Sequence, residues 1–132
     1  IYVNKNSSDL IFKKVELIGD KEINRRIVSI ISIKENSNEE KLDDLLLKSR
    51  ENILETSKDS KGRVATLKTI VEIELIILNE NQIVKERVFN ESFSYNNKNN
   101  KFDLAEYQVE VKNNLVDKII EQINIYLSLR WL

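Results

Sequence analysis

The sequence has no cysteine, histidine, methionine or proline, and only two glycines, Gly19 and Gly62, among 132 residues. Without thiolates or imidazoles, zinc sites of the structural kind, cysteine nucleophiles and histidine-based triads are excluded. Carboxylate sites for calcium or magnesium stay open, but no Asp-x-Asp-x-Asn-Gly-type loop occurs. Absent cysteine does not fix a compartment, because a secreted protein can do without disulfides. From the lack of methionine we expect Ile1 to be an internal position of a longer product. No apolar run approaches the ~18 residues needed to span a bilayer. These residues are therefore expected to be soluble, with any signal or anchor upstream.

What is present is ordinary for a globular domain: 41% hydrophobic and 33% charged residues. Neither repeats nor linkers divide the chain, so residues 1–132 are expected to form a single domain. The net charge of −1 removes the simplest argument for a nucleic-acid partner, and none is expected. No nucleophile elbow, phosphate loop or kinase-like signature occurs, so we expect neither an enzyme nor a cofactor.

The most informative stretch runs from Ser57 to Tyr95. From Ala65 to Ile77 the odd positions are mostly apolar, and the even ones include Lys68, Glu72 and Glu74. That period of two predicts a long strand with one buried face. A turn at Asn79 to Gln82 returns the chain to Phe93-Ser94-Tyr95. The hairpin opens on a basic turn, Lys58 to Arg63 around Gly62. Cations at such a tip could meet anionic groups, although a solvated turn is the ordinary reading. Glu72 and Glu74 share a strand face. An exposed polar face accounts for them better than acid/base chemistry does.

Upstream, residues 1 to 9 are polar and read as an extended start. Phe12, Val15 and Leu17 suggest a short strand ending at Gly19. Asp20 offers an N-cap, with Glu22 in the first turn. Ile23, Ile27, Ile30 and Ile31 then recur at helical spacing as far as Lys34. Residues 36 to 41 read as a polar loop. Segment 42–56 satisfies both periods: Leu42, Leu45, Leu46 and Ile53 suit a helix, whereas Leu45, Leu47, Ser49, Glu51 and Ile53 suit a strand. We take it as a strand that gives the hairpin a partner.

Downstream, an Asn-rich loop carries Lys98 and Lys101. Asp103 and Glu106 make a capping box, with Phe102 and Tyr107 placed as a hydrophobic staple. Leu104, Val111, Leu115, Ile119, Ile123, Tyr126 and Leu127 line one face of a helix running to about Leu129. Trp131 is read as a cap on the core or part of a contact surface, and Phe93 and Tyr95 as a packed pair on one strand face. The order β-α-β-β-β-α predicts an α+β two-layer sandwich: about four strands, mostly antiparallel or mixed, with two helices on one face.

Residues 57 to 130 resemble the LPS-assembly lipoprotein family, LptE. The likeness rests on Lys61-Gly62-Arg63-Val64-Ala65 opening a long strand, the turn at Asn79 to Gln82, the strand end Phe93-Ser94-Tyr95-Asn96, and Phe102-Asp103-Leu104-Ala105 leading into an acidic helix. Ile1-Tyr2 looks like the segment that follows the family's lipidated cysteine. The resemblance implies a non-enzymatic periplasmic lipoprotein, anchored by lipid to the outer membrane. It would plug and support the LptD β-barrel and assist lipopolysaccharide delivery to the cell surface. In some members, basic residues at the hairpin tip and near the start of the last helix are linked to lipopolysaccharide binding. Counted from Gly62, the hairpin arginine position falls on Ser60 here, and the second basic position falls near Leu104. The implied contacts are therefore Lys61 and Arg63, followed by Lys58, Lys98 and Lys101. The alternative is a periplasmic module for a lipid or small ligand, held in a pocket between sheet and helices.

Overall fold

The computed structural model of the protein describes residues 10–129; the readings of residues 1 to 9 and of Trp131 lie outside them. The elements are β1 (Leu10–Phe12), β2 (Lys14–Gly19), α1 (Lys21–Ile31), β3 (Ile33–Glu35), β4 (Asp44–Lys58), β5 (Val64–Asn79), β6 (Gln82–Asn96) and α2 (Lys101–Leu129). A four-stranded sheet, mixed but mostly antiparallel, has the order β2-β4-β5-β6, and β1 pairs with β3 in a small parallel sheet. The fold is α+β, as the periodicity predicts. Among the described residues, no helix is long and apolar enough to cross a membrane.

Segment 42–56 is a strand from Asp44 onward, and the strand continues to Lys58. Its odd positions Leu45, Leu47 and Ser49 are buried and pair in parallel with Val15, Leu17 and Gly19 of β2. Helix-forming residues yield here because ladder bonds and burial outweigh propensities of a few tenths of a kcal/mol per residue. Along β5, Leu67, Thr69, Val71, Ile73, Leu75 and Ile77 are all buried, which bears out the odd-face reading. Glu80 and Asn81 both have positive φ, 52° and 66°. That geometry belongs to a two-residue hairpin turn whose twist matches its strands.

The described residues divide into two compact units, 10–49 with 73–88 and 50–72 with 89–129. In the first, α1 packs on β2 and β3. Asp20 caps it, its Oδ1 accepting from the Ile23 amide at 2.9 Å. Ile23 and Ile27 are almost completely buried, each such side chain contributing about 1.5–3 kcal/mol. Two details differ from the periodicity. The helix stops at Ile31 rather than near Lys34, because Ser32 adopts a left-handed conformation (φ 61°). That turn lets Ile33 drop into register with Leu10. The buried stripe also takes Asn24 in place of Ile30, which is 53% exposed.

In the second unit, α2 buries Val111, Leu115, Val116, Ile119, Ile120, Ile123 and Leu127. Tyr126 meets Phe89 edge-on at 6.0 Å, Gln122 donates to Glu91 at 2.8 Å, and Lys112 pairs with Glu51 at 3.7 Å. The helix begins at Lys101, earlier than the capping-box reading. Asn100, not Asp103, is the cap, its Oδ1 accepting from the Phe102 and Asp103 amides at 2.8 and 3.2 Å. Asp103 instead lies in the first turn, where its charge suits the helix dipole. Phe102 is 69% exposed and forms no staple.

Candidate functional site

Where β4 gives way to β5, one carboxylate organises the turn. The Asp59 amide donates to the Arg63 carbonyl at 2.8 Å, and the Gly62 amide donates to the Asp59 carbonyl at 3.0 Å. Asp59 Oδ1 accepts from the Lys61 and Arg63 amides, both at 2.9 Å, and Oδ2 accepts from Arg63 Nε at 3.0 Å. Gly62 sits at φ 81°, a left-handed conformation that closes a three-residue hairpin loop. The Arg63 amide, more than any other group, holds the Asp59 carboxyl below its ordinary value; desolvation, the next largest effect, opposes it, and the Lys61 amide and the Arg63 guanidinium add to the lowering. Just below the turn, Thr66 Oγ1 lies 2.7 Å from Thr56 Oγ1 and 2.6 Å from Ser57 Oγ.

The Asn-rich loop comes to the same end of this unit. The Asn97 amide donates to the Ala65 carbonyl at 2.8 Å, and its Nδ2 donates to the Val64 carbonyl at 2.9 Å. Lys98 and Lys101 are thereby held beside the first residues of β5, which follow Arg63 directly. Lys98 Nζ stands 4.9 Å above the centre of the Tyr107 ring, a cation–π distance. Tyr107 in turn meets Tyr95 edge-on at 5.5 Å. The Tyr95 hydroxyl is 2.6 Å from Thr69 Oγ1 and accepts from Gln108 Nε2 at 3.2 Å. A buried polar network thus anchors the loop from behind.

All five sequence-derived cations therefore lie at one end of the second unit: Lys58, Lys61 and Arg63 on the hairpin tip, Lys98 and Lys101 on the loop. Each is exposed. Within segments 58–65 and 97–103 the only acids are Asp59 and Asp103, so this end carries a local positive excess although the whole chain is slightly negative. Arg63 is partly committed to Asp59, while its side chain stays 71% exposed. Such an end attracts phosphate or carboxylate groups by long-range, salt-screened forces rather than by a closed cage. Sequence reasoning missed Asp59, Asn97 and Asn100, the residues that build this end. Their signal was Asx residues beside the cations.

Elsewhere in this unit, Glu72 pairs with Arg50 at 2.7 Å, in keeping with a polar sheet face. Phe93 stacks on Tyr95 with ring centres 6.4 Å apart. An open groove of about 400 Å³ lies along Phe93, Tyr107, Val111 and Leu115, rimmed by Glu110 and Lys118.

No protein-family model matches the sequence, and no curated protein matches it. Several solved structures share the fold. The rare lipoprotein B of Shewanella oneidensis matches with a TM-score of 0.69 at 12% identity, over 89% of this chain and 95% of that one. A minor lipoprotein from Acinetobacter baumannii gives 0.63 at 13% identity, covering 93% and 96% of the two chains. An uncharacterized lipoprotein B from Nitrosomonas europaea gives 0.57 at 13% identity, covering 94% and 87%. At such identities the likeness is one of fold.

Proposed function

We propose that the protein is a non-enzymatic lipoprotein of the bacterial outer membrane, held by lipid at its periplasmic face. In this reading it plugs and supports an LptD-type β-barrel and assists lipopolysaccharide delivery. The observation that carries the reading is the gathering of Lys58, Lys61, Arg63, Lys98 and Lys101 at one end of the second unit, tied by the Asn97 bonds. Lipopolysaccharide offers phosphates to such an end. The fold shared with solved bacterial lipoproteins supports the same reading, as does the resemblance of residues 57 to 130 to the LptE family.

The alternative, a ligand module with a pocket between helix and strands, has less support. In the second unit, Leu67, Thr69, Val71, Leu115, Ile119 and Ile123 are all buried. The open space in this unit is the surface groove along Phe93, Tyr107, Val111 and Leu115, so an acyl chain would have to lie there rather than within the buried layer.

The test has two arms. Co-expressed with its cognate outer-membrane barrel, the intact protein co-purifies with it; failure with both partners folded would sink the barrel role. For the basic end, replacing Lys61 and Arg63 together by serine weakens lipopolysaccharide binding roughly tenfold or more at low salt, at ~1 kcal/mol per cation near an anionic lipid surface. The difference shrinks as salt rises. Lys61→Ser alone, which leaves the Asp59–Arg63 pair intact, gives a smaller loss of the same kind. Unchanged binding at low salt would reduce these cations to solvated surface charge.

A further inference from the structure

The first unit carries a second, unrelated surface. β2 is an edge of the four-stranded sheet. In a parallel ladder, alternate residues turn their backbone groups toward the neighbouring strand, and those between turn them away. Two bonds set the parity here. The Asp20 amide points inward, donating to the Ser49 carbonyl of β4 at 3.1 Å. The Val15 amide points outward, donating to Glu35 Oε2 at 2.8 Å. Leu17 and Gly19 share the parity of Val15, so their backbone groups face away from β4. Glu35 covers the first outward amide, and beyond it the edge opens into a groove.

That groove has a volume of about 570 Å³. Leu17 and Gly19 line its strand side; Lys21, Arg25, Val28 and Ser29 line its helix side, and none of the described lining residues is acidic. Lys21 and Arg25 stand four apart on α1 and so share a face; both are exposed. The remaining lining residue, Asn24, is already engaged, with Nδ2 donating to the Ile18 carbonyl and Oδ1 accepting from Ser49 Oγ. The groove thus offers an open strand edge, a small apolar wall and two cations.

We propose that this edge is a docking site for a short, extended, acidic segment of a partner protein. The segment adds as a strand beside β2, its backbone bonding to Leu17 and Gly19 and its carboxylates lying near Lys21 and Arg25. Charge complementarity selects an acidic occupant. The outward backbone groups select a polypeptide over an amphiphile, which would use the wall and the cations but leave those groups without a partner. The proposal does not depend on the reading of the basic end.

The probe is a set of short blocked peptides alternating Val or Thr with Asp or Glu, beside matched peptides carrying Lys instead. Acidic peptides are expected to bind saturably at low salt and to slow amide exchange at Leu17 and Gly19 by about fivefold or more. Lysine peptides bind about tenfold more weakly, and the double variant Lys21→Glu, Arg25→Glu reverses that preference. The altered positions are exposed, and amide spectra check that the variant keeps the fold. N-methylation of the peptide amides that face β2 abolishes the protection. Four results would each overturn the proposal: no saturable binding by any acidic peptide, indifference to N-methylation, Leu17 and Gly19 amides already protected in the peptide-free protein, or occupation of the groove by monomeric dodecyl phosphate with the peptides inert.

Discussion

Gly19 and Gly62 both hold a left-handed backbone, at φ 99° and 81°, yet their surroundings are opposite. A Cβ on Gly19 would stand 2.0 Å from the Ser49 carbonyl oxygen, whereas a Cβ on Gly62 would meet nothing within 4 Å. Around Gly19 the chain passes from β2 into α1 against β4. Asp20 caps the helix, Ser49 Oγ has its single proton within reach of both the Asp20 carbonyl at 3.2 Å and Asn24 Oδ1 at 2.8 Å, and Asn24 is almost wholly buried. Around Gly62 one carboxylate folds a turn that projects into solvent. The first region uses its glycine for close approach, the second only for handedness. The proposed peptide edge lies beside a packed junction, whereas the basic end rests on an open turn whose cations are exposed.

Gly19→Ala should expose that difference most strongly. The clash is with backbone, so β2 and β4 must separate, and the left-handed φ adds its own cost. We expect a loss of about 3 kcal/mol or more, measured by urea unfolding. A loss below about 1 kcal/mol would mean that the Gly19–Ser49 approach is not a constraint. Next comes Asn24→Ala, which strips the Ile18 carbonyl and the Ser49 hydroxyl of a buried partner and should cost about 2 kcal/mol. Because each single replacement already loses the shared Ser49–Asn24 bond, adding Ser49→Ala to Asn24→Ala should cost less than the two single losses combined. Strict additivity would show that the two side chains act separately.

Much of this contrast was legible in the residues, but unevenly. The odd positions of β5 and the stripe of α2 carry long periods, so their strand and helix could be read directly. The β1–β3 pair could not, since three-residue strands hold no period and Leu10 meets Ile33 only because Ser32 turns left-handed. The α2 start was misplaced because Asn100 and Asp103 are both good caps, and the sequence does not say which carboxamide or carboxylate meets the free amides. At the candidate site the five cations were visible as residue types. Their gathering was not, because it depends on Asn97 reaching Val64 and Ala65, a side-chain bond that leaves no periodic trace. Gly19 was read as a break between elements; its packing role depends on an oxygen of β4, far away in sequence.

On the open side of the comparison, Gly62→Ala should cost only about 1 kcal/mol, the penalty for placing a Cβ in the left-handed region with nothing to strike. A loss as large as that for Gly19→Ala would erase the distinction between the two glycines.

The smallest effect belongs to Asp59, and pH gives access to it. The folded carboxyl lies below its ordinary value because the charged form accepts the Arg63 and Lys61 amides and the Arg63 guanidinium. A group depressed in the folded state stabilises fully above its unfolded value, about 3.9 for aspartate, and that contribution is lost as pH falls through the lower, folded value. The Lys61 and Arg63 amide resonances should therefore stay constant down to about pH 4 and shift together only below it, following the Asp59 carboxyl carbon. Asp59→Asn should remove this titration while its carbonyl oxygen still accepts both amides, leaving the global unfolding midpoint almost unchanged because the turn it shapes is exposed. If the two amides instead moved with a midpoint at or above the ordinary aspartate value, the carboxylate would not be what shapes the tip. The positions of Lys61 and Arg63 would then have to come from the strands alone.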